Sequence, residues 1–257
     1  MTSRFAADEL VLFQSENLNA FNKSLVTNVV CELRFPTLME LGEAKPPSDF
    51  VKALRKSYPH IETGTDVSFG FGGLSETSYA HVFRASKGGW VVSLKHSTLT
   101  IETSSYTRYE DLERRVLEAV RAAKPIIDSD FWTRIGLRYI NTLPGRSDPI
   151  SKGWVNAALI SPIQQGVFRG INEAGTRLVL NSEDGGCTLQ ANIRRNAMAG
   201  SEFIAPDFLI DVDVFRSDVE VADTEERLKA MHSQAFNVFD WSLDEGAREF
   251  LRGNGGK

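Results

Sequence analysis

Cysteine is scarce. Cys31 and Cys187 are the two thiols in 257 residues, and one pair cannot form the disulfide framework that holds small secreted domains together. Both lie in strand-like contexts, so buried, reduced thiols in a cytoplasmic protein are expected. Histidine is scarce as well. His60, His81, His96 and His232 are scattered, and none stands at metal-ligand spacing from a cysteine or another histidine. No apolar run reaches the length that spans a bilayer, and Asp8 and Glu9 interrupt the N-terminal stretch before an apolar signal core can form. Positive charge is the minority sign. Lys plus Arg is 29 against 34 Asp plus Glu, a net charge of -5. Such a surface does not attract nucleic acid or an anionic membrane as a whole.

The fingerprints of common chemistries are also missing. The glycine-rich stretch from Gly70 to Thr77 lacks the Gly-Lys-Ser/Thr of a phosphate-binding loop. With Ser75 in the last glycine position, it is not a dinucleotide fingerprint either. A bulged or bent strand is expected there. No G-x-S-x-G nucleophile elbow occurs. The sequence therefore points to no cofactor and to no catalytic residue.

What is present is an ordinary globular composition, 42% apolar and 25% charged, with ample length for a buried core. Val29, Cys31, Leu33 and Phe35 alternate with Val30, Glu32 and Arg34, the period of a strand with one apolar face. A helix is expected after Pro46 and Pro47, capped by Ser48 or Asp49 and stopped by Pro59. Strands follow through Val67, Phe69 and Phe71, through SYAHVFRAS and through WVVSLKH, with Gly88-Gly89 as a hairpin turn, and then through Leu99 and Ile101. The segment around Tyr109, Leu112, Val116, Ala119 and Val120 is an amphipathic helix, with Glu110, Glu113, Arg114, Arg115 and Glu118 toward water. FWTRIGLRYINTLP is a strand. Beyond it QQGVFRGIN, TRLVLNSE, CTLQANIRR and DFLIDVDVFR are expected strands, with a mobile loop before the last. Leu228, Met231, Ala235 and Val238 form the stripe of a final helix that Thr224 can cap.

Strands grouped ahead of helices indicate an α+β fold with a largely antiparallel sheet and flanking amphipathic helices. A strand run followed by one long helix occurs twice, so two tandem halves forming a half-barrel are expected. The corresponding layout is a peripheral lead-in over 1–23, a first half over 24–144, a linker-like loop over 145–153, a second half over 154–243 and a tail over 244–257.

NVVCELRFP, SLKHSTLTIETSSYTRYEDL, RIGLRYIN and DFLIDVDVF followed by LKAMHSQAFNVF together resemble a sporadically distributed prokaryotic family of proteins of about this length. The resemblance covers roughly residues 24 to 243 and is sharpest over Gly136 to Asn141. The family's patchy spread is like that of genes on mobile or defence-related islands. It brings no established catalytic residues to this chain.

Within the sharpest motif, Arg138 can grip a carboxylate or phosphate bidentately, or form a salt bridge to a neighbouring strand, with Glu32 and Glu102 as candidate partners. Asn141 ends the motif and stands with Arg138, Glu32 and Arg34 as a candidate ligand-binding residue, although a turn or capping role is the usual one for an asparagine at a strand end. Glu32 and Arg34 share one strand face and line either a polar cavity or a solvated surface, the solvated reading being the commoner for an antiparallel sheet. Asp211 and Asp213, two apart in a strand, point the same way and could share a divalent ion, although carboxylates on a wet strand face are the simpler account. Arg194 and Arg195 at a strand end could meet phosphate. Phe239 and Trp241 near the final helix end either complete the core or form a partner-binding patch.

These features lead to the expectation of a cytoplasmic, non-enzymatic binding or accessory protein. It would recognise a protein partner, a second copy of itself or a small ligand, in a bacterial defence or mobile-element setting. The alternative is a divalent-metal phosphohydrolase or nuclease using Asp211 and Asp213 with Arg138.

Overall fold

Among the described residues nine strands join in one sheet. The computed structural model describes residues 5–18, 21–69, 75–169, 171, 173–194 and 206–253, and the backbone alone for 66–69, 75–77 and 194. The strands are β1 (Val26–Arg34), β2 (His60–Phe69), β3 (Ser75–Arg84), β4 (Trp90–Leu94), β5 (Thr98–Thr103), β6 (Phe131–Leu143), β7 (Gly175–Asn181), β8 (Gly185–Arg194) and β9 (Asp207–Glu220). They hydrogen-bond in the order β2-β3-β4-β5-β1-β6-β9-β8-β7. The pairings β1/β5, β2/β3, β3/β4, β4/β5 and β7/β8 are antiparallel. The helices are α1 (Ser48–Leu54), α2 (Tyr109–Ile127), α3 (Ala157–Gln164), α4 (Thr224–Trp241) and α5 (Glu245–Arg252). The fold is thus α+β with an antiparallel sheet, the class that the strand grouping predicts. Along the chain, both halves run strand, short helix, strand meander, long helix. In each half the last strand of the meander returns beside the first strand.

The chain forms two compact units whose boundaries fall inside β1, β6, β9 and α4. One unit comprises Asn28–Leu137 and Phe215–Lys229. Its core takes Val29, Cys31 and Leu33 from β1, Val92 and Leu94 from β4, Leu99 and Ile101 from β5, and Leu112, Val116, Ala119 and Ile127 from α2, all buried. Trp132 is fully buried, and its indole N–H donates to the Thr224 hydroxyl at 2.8 Å. That hydroxyl donates in turn to the Val221 carbonyl at 2.7 Å. Thr224, expected as a helix cap, thus completes the hydrogen bonding of a core indole that burial would otherwise leave costly. Arg115, expected to face water, lays its guanidinium 4.6 Å from the centre of the Trp90 ring.

The other unit comprises Met1–Thr27, Arg138–Val214 and Ala230–Lys257. Tyr139 and Leu143, Leu189, Ala191 and Ile193, and Phe208, Ile210, Val212 and Val214 are buried here, together with Met231, Ala235 and Val238 of α4. The stripe read from the final helix is therefore a core stripe. The N-terminal segment is tied down rather than loose. The Gln234 amide donates to the Ala7 carbonyl at 2.7 Å, and the Ser15 hydroxyl donates to Asp240 Oδ2 at 2.5 Å.

Several expectations are corrected. Neither Ser48 nor Asp49 caps α1; its N-cap is Pro47, with no side-chain hydrogen bond. Within the described residues of QQGVFRGIN there is no strand. Gln164 ends α3, and Gly166 takes a positive φ of 66°, which breaks the extended run. Helix α3 is capped instead by Asn156, whose side-chain oxygen accepts from the Ala158 N–H at 3.0 Å. Helix α5 occupies part of the expected tail, capped by Asp244 and ended by Gly253 at φ 85°. The hairpin turn at Gly88-Gly89 is present, both glycines having positive φ. The bent strand expected over Gly70–Thr77 and the mobile loop before β9 fall largely outside the described residues, as do Phe71, Arg195 and the side chain of Arg194.

Candidate functional site

Arg138 emerges from β6 on the face opposite Leu137 and Tyr139. Its Nε and one terminal nitrogen donate to the two carboxylate oxygens of Asp211 on neighbouring β9, at 2.8 and 2.5 Å. The Arg138 side chain is 46% exposed and that of Asp211 is 14% exposed. The hydrogen bonds that Arg138 donates to Asp211 push the guanidinium pKa up, with the charges of Asp211 and Asp213 adding to it and partial desolvation opposing. Asn141 lies on the opposite, buried face and donates to the Ile210 carbonyl at 3.2 Å. The motif thus divides its labour: Arg138 joins two strands by a charged fork, and Asn141 joins the same strands inside the core.

In the unit of Asn28–Leu137 a second charged group forms. Glu32 accepts from Arg34 Nε at 2.7 Å and from Arg134 at 3.4 Å, and the Arg134 guanidinium rests 4.8 Å from the centre of the Phe215 ring. Gly136 makes this possible. A Cβ there would lie 2.7 Å from an Arg134 terminal nitrogen, so glycine leaves the lane along which Arg134 lies. The candidate residues are thus brought together as pairs, Arg138 with Asp211 and Glu32 with Arg34.

Among the described residues no three metal-capable side chains gather, and Asp211 already spends both oxygens on Arg138. Phe239 is buried, its ring 6.2 Å from that of Phe236, so it belongs to the core rather than to a surface patch. Trp241 is half-buried, and its carbonyl accepts from the Asn156 amide at 2.8 Å. An open hollow of about 500 Å³ in the unit of Asn28–Leu137 is lined by Lys124, Asp130, Phe131, Glu220, Val221 and Ala222, and contains none of the sequence candidates.

What sequence reasoning missed is which strand forms an open edge. Among the described residues, β2 and β7 end the strand order. The described side chains of β2 are exposed on both faces, but Glu62, ion-paired to Arg84 at 3.5 Å, keeps that edge charged. β7 is different. It exposes Leu178 at 42% and Val179 at 43%, on opposite faces, and follows a loop in which Val167 and Phe168 are more exposed still.

The hydrogen-bonding direction along β7 is set by its flanks. Ile193 N–H donates to the Ala174 carbonyl at 2.9 Å, and Ser182 N–H donates to the Gly185 carbonyl at 2.8 Å. With the register running from Gly175 opposite Asn192 to Asn181 opposite Gly186, the even-numbered residues turn their backbone groups toward β8. Gly175, Arg177, Val179 and Asn181 turn theirs to the open edge. The signal in the sequence is TRLVLN itself, a β-prone run with one charge.

Compared with protein-family models and with curated proteins, the chain matches none.

Proposed function

We propose that this chain is a non-enzymatic binding or accessory protein that receives a protein strand along the open edge of β7. The carrying observation is that edge: outward backbone donors and acceptors at Gly175, Arg177, Val179 and Asn181, flanked by the exposed Leu178 and Val179. Main-chain hydrogen bonds give such an edge affinity, and alternate side chains give it specificity. The strongest charged candidates support the same reading, because Arg138 and Glu32 are engaged with side chains of their own unit. The setting we propose is the cytoplasm of a bacterium, in a defence or mobile-element context, as the family resemblance implies. No specific observation favours the metal-dependent hydrolase.

The test is purification of the full chain from its native cells, followed by hydrogen exchange on the retained complex. The amides of Arg177 and Val179 are expected to gain protection, and Val179→Pro to release the partner. Protection confined to other elements, or a complex that Val179→Pro leaves intact, overturns the reading.

A further inference from the structure

We propose that the occupant of the β7 edge is β7 of a second copy of this chain, paired antiparallel about Leu178. The inference rests on reading β7 as the binding edge and adds the partner and the register.

Two-fold antiparallel pairing of identical strands must match outward-turned residues with outward-turned residues. On β7 these are Gly175, Arg177, Val179 and Asn181. The symmetry axis must therefore pass through a residue and not between two. An axis at Arg177 would set guanidinium opposite guanidinium, which is unfavourable. An axis at Val179 would leave Gly175 without a strand partner. The axis at Leu178 uses the whole strand. Gly175 then bonds Asn181 and Arg177 bonds Val179, each twice by symmetry, for about eight inter-chain hydrogen bonds.

The side chains agree with that register. Leu178 meets its own copy at a non-hydrogen-bonded position, where paired side chains come closest. Thr176 faces Leu180 on the same side, so this face becomes a mainly apolar ladder. On the other face Arg177 lies beside Val179, and the single charge of the strand never meets its mate. An edge this short falls at the small end of interface sizes, so the dimer is reversible and depends on concentration.

The full-length chain is measured by light scattering across a wide concentration range. The mass is expected to rise from 28.5 kDa toward twice that value. Val179→Pro removes an outward N–H without touching the β8 ladder, and is expected to hold the chain at the monomer mass. The register is read by cross-linking. Under mild oxidation Leu178→Cys is expected to form a covalent dimer, because the facing positions suit a disulfide, while Arg177→Cys forms no covalent link. The native thiols are both buried and do not compete. Cross-linking through Arg177→Cys and not Leu178→Cys overturns the register even if the proline variant fails to fold. A wild-type chain that stays monomeric, while Val179→Pro still releases a different protein, overturns self-pairing and leaves the edge reading standing. A dimer that survives Val179→Pro and that Leu178→Cys does not cross-link overturns both.

Discussion

Arg138 and Asp211 close a two-pronged hydrogen bond between β6 and β9, with the guanidinium half in water and the carboxylate mostly covered. Because Arg138 is so exposed, solvent screens the pair and its stabilisation is small. Replacing Arg138 by alanine is expected to lower unfolding stability by less than about 1 kcal/mol. Adding Asp211→Ala should cost little more, since the first substitution has already removed the interaction. Urea titration of the two single variants and the double variant measures the coupling. A loss of several kcal/mol for Arg138→Ala alone would contradict this account.

Gly136 is expected to matter only through Arg134. A methyl group at position 136 displaces the guanidinium from Phe215 and Glu32. Gly136→Ala should therefore destabilise the native chain by roughly 0.5–1 kcal/mol, the scale of one partly exposed cation–π contact. In an Arg134→Ala background the same change should be neutral or slightly favourable, because alanine is the better residue in a strand interior. Equal effects in both backgrounds would show that the glycine serves something else.

Asp240 is a deeply buried charged partner in the unit of Arg138. Its carboxylate is 1% exposed and accepts from Arg248 Nε at 2.8 Å, from the Ser15 hydroxyl and from the Asn17 amide at 3.3 Å. Arg248→Ala leaves that charge without its cation and is expected to cost on the order of 3 kcal/mol. The N-terminal segment hangs on the same carboxylate, so limited proteolysis near Ser15 should accelerate in the variant. Unchanged cleavage would separate the segment from the ion pair.

His81 gives a pH dependence. Burial holds its ring below the ordinary value of 6.5, only partly offset by a hydrogen bond to the backbone of Glu43. The unfolded chain therefore takes up this proton at a higher pH than the folded one. The contribution of His81 is fully present above 6.5 and is lost as pH falls from there toward the folded value. His81→Asn should flatten the stability profile over that window. A profile as steep as that of the native chain would assign the titration to other groups.

Cys31 is expected to be inert. Desolvation by burial, with the neighbouring Glu32 charge adding to it, pushes the thiol up to about 12, so almost no thiolate exists at neutral pH. A thiol-labelling reagent at pH 8 should modify position 31 only after denaturant is added. Rapid labelling of the folded chain would mean that the strand opens locally.

The sequence by itself determined which side of β1, β5 and β6 is apolar, where the two long helices lie, and that Glu32, Arg34, Arg138, Asp211 and Asp213 stand among polar positions. These are properties of one or two turns of chain, carried by periods of 2 and 3.6 residues. Helix α3 escaped that reading because its eight residues are short, largely apolar and interrupted by Pro162, so no stripe forms, and Asn156 was its one local sign. Which carboxylate Arg138 holds, why residue 136 is glycine, that Phe239 is covered and that β7 lies at an edge were all decided by the tertiary structure. The strand order brings together residues far apart in the chain, Arg138 and Asp211 among them, and local periodicity carries no record of a neighbour so distant.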